Sequence, residues 1–320
     1  MLTTALFSFA LGVVILLLSS HTFLQIIQSL AAKWKFSPLL ISLVVVGLGT
    51  SLPELMVTIS AISQNDIGLT LGNLVGSSVV NISLIFGLSI LAGTVKIGNN
   101  KTQKNSLIMI FTTTLFVVLR FSALSNFIQA ILLLSGLILA LSYDYILAVN
   151  GRHHEDRTLL SKITKEEEKH RHYPPIVVII LLIASTIGLM TGGSIIVSAA
   201  ESLAYAWQIS TSVVGLTILS VATTMPELIT ILIAEREKED KVVVGTLIGS
   251  NIFNLTLFPT IILFGSKLKY TLPLIELLYL LLATFVFVWV IFHFRHHNIP
   301  HKVGLGLVLL FLIFTFLTIG

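Results

Sequence analysis

The chain has 320 residues, of which 55% are hydrophobic and only 11% charged, and its mean hydropathy is +0.99. Soluble domains carry about 25% charged residues, so the composition excludes a soluble protein and predicts an all-α polytopic membrane protein. The absence of cysteine excludes a disulfide framework, thiolate metal sites and a cysteine nucleophile. The net charge of +4 resides in loops between apolar runs, which makes it a topology signal rather than a nucleic-acid surface.

The first apolar run starts at Ala5 with no Lys or Arg before it and continues to about Ala32. It lacks the basic leader of a secretory signal and is too long for a signal core, so it reads as a true span. With about 20 apolar residues needed per crossing, spans are predicted near 4–32, 38–63, 68–93, 105–120, 126–149, 174–203, 210–234, 242–265, 272–294 and 302–319. The fourth is short and contains Thr112, Thr113 and Thr114. Residues 1–149 and 174–320 form two halves of five spans each. The hydrophilic segment 150–173 joins them and reads as a solvated charged linker despite His153, His154, His170 and His172. If the N-terminus is outside, inner loops hold 16 of the 19 basic residues; the outer loops hold only Arg120, Lys267 and Lys269. That asymmetry predicts a multi-pass protein of the cell membrane with both termini outside and the linker in the cytoplasm.

Two stretches break the apolar pattern: Gly47-Leu-Gly-Thr-Ser-Leu-Pro-Glu54 and Ser220-Val-Ala-Thr-Thr-Met-Pro-Glu227. Each places a carboxylate at bilayer depth, which costs roughly 3 kcal/mol on insertion scales. Each also places a proline beside it, which frees the carbonyl four residues earlier, here that of Gly49 or Ala222. An offset of 173 relates the two. It carries Thr50 onto Thr223, Pro53 onto Pro226, Glu54 onto Glu227, Gly72 onto Gly245, Gly76 onto Gly249, Ser77 onto Ser250 and Asn81 onto Asn254. One fixed offset across three helices identifies a duplication. Because each half holds an odd number of spans, the copies enter the membrane in opposite senses. Ten transmembrane helices in two inverted five-helix repeats, with interrupted helices in matching places, are the mark of a secondary transporter.

Thr50 and Glu54 are four residues apart and share a helical face, with Ser51 beside them; Ser77 and Asn81 share a face of the next helix. Thr223, Thr224 and Glu227, then Ser250 and Asn254, repeat the pattern. Every one of these side chains presents oxygen, which selects hard cations. Ca2+ takes six to eight oxygens, so two glutamates, hydroxyls and freed carbonyls suffice for a shell. Near their span ends, Asp144 and Glu276 read as solvated interfacial acids, and His21 as a packing residue. No inferred span holds a central basic residue to pair with Glu54 or Glu227.

The stretches Gly-Thr-Ser-Leu-Pro-Glu54 with Gly72-Asn-Leu-Val-Gly-Ser77-Ser-Val-Val-Asn81, and Thr-Thr-Met-Pro-Glu227 with Gly245-Thr-Leu-Ile-Gly-Ser250-Asn-Ile-Phe-Asn254, closely resemble the alpha repeats of the cation/Ca2+ exchanger superfamily. The closer resemblance is to its Na+/Ca2+ exchanger branch of prokaryotic type. The alpha motifs then cover 47–81 and 220–254. The resemblance implies a core of the second, third, seventh and eighth helices around clustered cation sites, with the long first and sixth helices sliding across it. It implies Glu54 and Glu227 as shared Ca2+ and Na+ ligands, with Thr50, Ser51, Ser77, Thr223, Thr224 and Ser250 as flanking Na+ ligands. Backbone carbonyls near Gly47 and Ser220 would help, and Asn81 and Asn254 would border the central site. Asparagine at Asn81 and Asn254 speaks against K+ co-transport. Thr246 stands where asparagine is usual in the family and Ala222 where glycine is usual, and the proton-coupled branch's Gly-Asn-Ala-x-Glu motif is absent.

The expected activity is Na+/Ca2+ antiport by alternating access in the direction of Ca2+ extrusion, with H+/Ca2+ antiport on the same fold as the alternative. An intramembrane enzyme using the two carboxylates as acid and base needs unequal environments, which the near-symmetric motifs disfavour. No cofactor, nucleic acid or obligatory protein partner is implied. The transported ions are Na+ and Ca2+, and the surroundings are the lipid bilayer.

Overall fold

The computed structural model describes residues 2–33, 50–93, 100–150, 174–236, 240–265, 272–295 and 297–319. The first half contains α1 (Leu2–Lys33), α2 (Leu52–Ser63), α3 (Ile67–Ala92, with a π-helical turn at Asn81–Ile85), α4 (Asn100–Arg120) and α5 (Asn126–Asn150). In the second half come α6 (Pro175–Trp207), then α7, which runs as Thr211–Val214, Gly215–Leu219 and Ser220–Thr223. After it follow α8 (Met225–Arg236), α9 (Asp240–Gly265), α10 (Leu274–His293) and α11 (His301–Ile319). Among the described residues, nine helical stretches are long and apolar enough to cross a membrane, α7 and α8 counting together as one of them. The shorter α2 falls in the predicted second span, whose first part, 38–49, lies outside the described residues, as does most of the 150–173 linker.

The termini of these helices follow local chemistry. Asp66 caps α3 by accepting the Leu69 N–H at 2.8 Å, and Ser210 caps α7 by accepting the Val213 N–H at 3.3 Å. Pro175 occupies the first turn of α6, where its missing N–H costs nothing, and Gln208 in the left-handed region closes that helix. The fourth predicted span is longer than expected. α4 gains a polar first turn, and the buried hydroxyls of Thr112 and Thr113 both donate to the Met109 carbonyl, so both are satisfied within the helix, while Thr114 is exposed.

The 173-residue offset reappears in the helix bounds. It carries Leu52 and Ser63, the ends of α2, onto Met225 and Arg236, the ends of α8, and Ile67 and Ala92 of α3 onto Asp240 and Gly265 of α9. The repeat-equivalent helices α1 and α6 pack against each other along their length. Gly12 lies against Ile196, Leu16 against Gly192 and Ser19 against Gly188, so they run antiparallel.

The centre of the bundle is α3, with every residue from Ile67 to Val80 buried. In its membrane-crossing window 83% of residues are buried, against 22% for α1, α6 and α11. Those three helices therefore form the lipid-facing rim. Bilayer lipid is as apolar as a leucine, so close packing rather than hydrophobic exclusion holds such helices together. Here α3 and α7 meet backbone to backbone. A Cβ added at Gly76 would stand 2.5 Å from the Leu216 carbonyl oxygen, and one at Gly215 would stand 2.6 Å from that of Leu69.

Two expectations are corrected. Glu276 is not solvated at an interface: α10 packs against α4, and Glu276 in the first turn of α10 is 5% exposed with no hydrogen-bond partner on Oε2. His21 is exposed rather than packed, and a ring nitrogen lies 2.9 Å from the Gln25 amide one turn on. The side chain of Asp144 lies outside the described residues.

Gly76→Ala should lower stability by about 1–3 kcal/mol, the usual cost of overpacking, because the obstacle is backbone. Gly306→Ala, where an added Cβ meets nothing within 4 Å, should be neutral or stabilising. Thermal unfolding of the two detergent-solubilised variants checks the contrast.

Candidate cation-binding site

Both proline–glutamate pairs lie where a helix begins. Ser51 precedes α2, which places Pro53 and Glu54 in its first turn. In the second half α7 ends at Thr223, Thr224 leaves helical geometry, and Pro226 and Glu227 lie in the first turn of α8. The helix of the second half is therefore broken at Thr224, not merely kinked. A proline tolerates a first turn and not a helix interior, so the break and the sequence agree. Each carboxylate is stabilised by the positive end of its own short helix. Facing Glu227, the end of α7 offers carbonyls, including that of Ala222, whose helical donor Pro226 removes.

All the proposed ligands that the structure describes are buried: Thr50, Ser51, Glu54, Ser77, Asn81, Ser220, Thr223, Thr224, Glu227, Ser250 and Asn254. Gly47 lies outside the described residues. The two halves interlock through reciprocal pairs. The hydroxyls of Thr50 and Ser250 are 3.3 Å apart, and so are those of Ser77 and Thr223, and the 173-residue offset maps each pair onto the other. Ser51 donates across the halves to Glu227 Oε1 at 3.5 Å, the outer limit of a hydrogen bond, and Ser250 donates to the same oxygen at 3.1 Å. Glu54 and Glu227 lie within electrostatic reach of each other.

The symmetry is incomplete. Thr224, the repeat equivalent of Ser51, turns back to the Ser220 and Val221 carbonyls at 2.8 and 3.2 Å instead of crossing to Glu54. The Ser220 carbonyl also accepts the Thr223 hydroxyl and the Thr224 N–H. Both oxygens of Glu54 and Oε2 of Glu227 lack a hydrogen-bond partner. Asn254 has neither of its amide atoms paired, and Asn81 leaves its oxygen free while its Nδ2 donates to Asn251 Oδ1 at 3.2 Å. Each orphaned buried polar atom costs on the order of 1–3 kcal/mol. So many in one place describe a lining built for something that is not protein.

Two participants escaped the sequence reading. Asn73 accepts from Thr223 at 3.3 Å and leaves its own Nδ2 unpaired. Its place between Gly72 and the Ser77 turn of the same motif could have flagged it. Asn251 bridges Asn81 to the Ser78 carbonyl at 3.2 Å. No repeat signal marks it, since the offset maps Asn251 onto Ser78, which bonds only the Leu74 carbonyl of its own helix.

Among the described residues no cluster of three or more His, Cys, Asp or Glu is present. The site therefore supplies two carboxylates and otherwise neutral oxygen, a set that fits hard cations of total charge near +2.

The family model for sodium/calcium exchanger proteins matches residues 4–150 and 177–320. The chain belongs to the sodium/calcium exchanger family. Two curated members show its breadth. The sodium/calcium exchanger MaX1 of Methanosarcina acetivorans is 27% identical over 307 residues, covering 87% of this chain and 86% of the relative. The uncharacterized membrane protein MJ0091 of Methanocaldococcus jannaschii is 30% identical over 247 residues, covering 77% of each chain. Among solved structures, the sodium-calcium exchanger NCX_Mj soaked with Na+ and Ca2+ is similar over 98% of both chains, with 25% identity and a TM-score of 0.63. The exchanger described here thus shares this fold from end to end.

Ser250→Ala removes the better of two donors to Glu227 and should weaken Ca2+-dependent thermal stabilisation by about 1–3 kcal/mol. Ser78→Ala, which loses only an intrahelical bond, should leave it unchanged. Melting curves across a Ca2+ titration measure both.

Proposed function

We propose that this chain is an antiporter that exchanges Na+ for Ca2+ by alternating access and expels Ca2+. The observation that carries the reading is the pair of buried glutamates, each opening a half-helix, each related to the other by the repeat, and together leaving three carboxylate oxygens unpaired. In this reading Glu54 and Glu227 ligate Ca2+ and Na+ in turn. Thr50, Ser51, Ser77, Thr223, Thr224 and Ser250 supply flanking oxygens, and carbonyls at Gly47, Ser220 and Ala222 complete the shells. Asn81 and Asn254 border the centre. One Ca2+, or an equal charge in Na+, neutralises the carboxylates, and the same pair cannot serve both fully at once. Mutual exclusion of this kind couples the fluxes.

The smooth rim pair α1 and α6, packed glycine against side chain, supports a sliding element that opens the site to alternate sides. Both termini lie outside and the 150–173 linker lies in the cytoplasm, as the loop charges require. With an inside-negative potential, each net positive charge entering contributes about 2.3 kcal/mol per 100 mV, so any Na+ entering beyond the two charges that balance one Ca2+ would drive Ca2+ out. The exchanger forms no covalent intermediate and needs no cofactor.

Bare, buried carboxylates such as Glu54 also suit proton binding, which keeps H+/Ca2+ exchange as the second reading. Proteoliposomes loaded with Na+ should accumulate Ca2+ when external Na+ is removed, with the proton gradient collapsed by an ionophore. Accumulation driven equally by a proton gradient without Na+ supports the second reading. Glu54→Gln and Glu227→Gln should each reduce the flux by at least about 100-fold, the order expected for losing more than 2.7 kcal/mol of ion stabilisation.

A further inference from the structure

α5 packs chiefly on α9, and α4 on α10 and α9. The two neighbours α4 and α5 meet less closely, and a cavity of about 370 Å³ opens between them. That volume is within the range of about 300–1,000 Å³ usual for small-molecule sites. Two helical stripes line it, one on α4 that includes Lys104 and Phe111, the other on α5 with Gly136, Leu139, Ala140 and Tyr143. Gly136 lets α4 and α5 approach closely beside the cleft, where an added Cβ would stand 3.0 Å from Leu115 Cδ2. Phe111, Leu139 and Tyr143 are 52%, 63% and 39% exposed, so the groove opens outward, towards lipid.

Its chemistry is that of an amphiphile. The walls are apolar, and Lys104 lies near the start of α4, on the side that the loop charges assign to the cytoplasm. Tyr143 near the far end of the antiparallel α5 lies at the same level, where tyrosine favours the membrane interface. Lys104 has no ion-pair partner among the described residues. The repeat offers an internal comparison. The 173-residue offset places Leu277 where Lys104 stands and Leu309 where Gly136 stands, so the equivalent place in the second half has neither the charge nor the glycine. Under inverted topology that place faces the outer leaflet, whereas anionic lipid is concentrated in the inner one.

We infer that the groove between α4 and α5 holds an acyl chain of an anionic phospholipid of the cytoplasmic leaflet, with Lys104 on its phosphate. Basic pockets between membrane helices on that side recognise anionic headgroups in this way.

Native mass spectrometry of the full chain, delipidated and then mixed with phosphatidylglycerol or phosphatidylcholine of the same acyl length, tests this. The wild type should retain phosphatidylglycerol about ten-fold better than phosphatidylcholine. K104Q should lose that preference while K104R keeps it, and G136L should bind both lipids several-fold less. A wild-type Ca2+-induced thermal shift in each variant establishes that it is folded. Equal retention of both lipids by the wild type overturns the proposal, as does an undiminished preference in K104Q. Lipid-free dimers that G136L abolishes overturn it too, assigning the groove to a second copy of the chain.

Discussion

Two carboxylates buried without a counter-charge are the constraint on which the rest of this structure depends. A membrane protein does not keep Glu54 and Glu227 at 1% and 0% exposure unless something neutralises them, and the described spans place no lysine or arginine there. The surroundings answer with geometry instead of charge. Each glutamate opens a short helix whose N-terminal end favours an anion. Serine and threonine hydroxyls, which orient either as donors or as acceptors, line the space between. A hydroxyl that donates to Glu227 today can turn its lone pairs to a cation, and the hydrogen-bond pattern around the site is therefore easily exchanged.

That exchangeability explains the asymmetry between halves that began as copies. Glu227 accepts from Ser51 and Ser250, whereas neither oxygen of Glu54 has a hydrogen-bond partner and Thr224 is folded back onto α7. Under the proposed alternating access, a duplicated site in one fixed conformation is expected to be asymmetric. The close α3–α7 contact at Gly72, Gly76 and Gly215 holds the core rigid. The antiparallel pair α1 and α6 lies on the rim, α6 against α2 and α7 and α1 chiefly against α6. A close-packed centre beside a two-helix rim is the arrangement that the proposed alternating access would use.

Much of this could be read in the residues because the duplication writes the same message twice. The proline–glutamate pairs, the glycine spacing and the 173-residue offset pointed to the broken helices and to most of the lining. What the offset could not show is contact between positions whose repeat partners differ, as with Asn251 and Ser78. Nor could helical periodicity say which way Thr224 points, since a threonine hydroxyl near a helix end chooses between its own backbone and a neighbour on small energy differences. Glu276 was misread for a different reason. Proximity to a span end suggests solvent, but burial is decided by how neighbouring helices pack, and Glu276 is buried. The family match then agreed with the alpha-motif resemblance, and the structural likeness extends it across the whole chain.

The central claim is that Glu54 and Glu227 form one site and not two. Titration calorimetry of the purified exchanger with Ca2+ tests it most directly, run on the wild type and on each glutamine variant separately. A single Ca2+ bound per wild-type chain, and none detectable with either Glu54→Gln or Glu227→Gln, is the result expected. Wild-type affinity in either variant, or two ions per chain of which each variant keeps one, contradicts it.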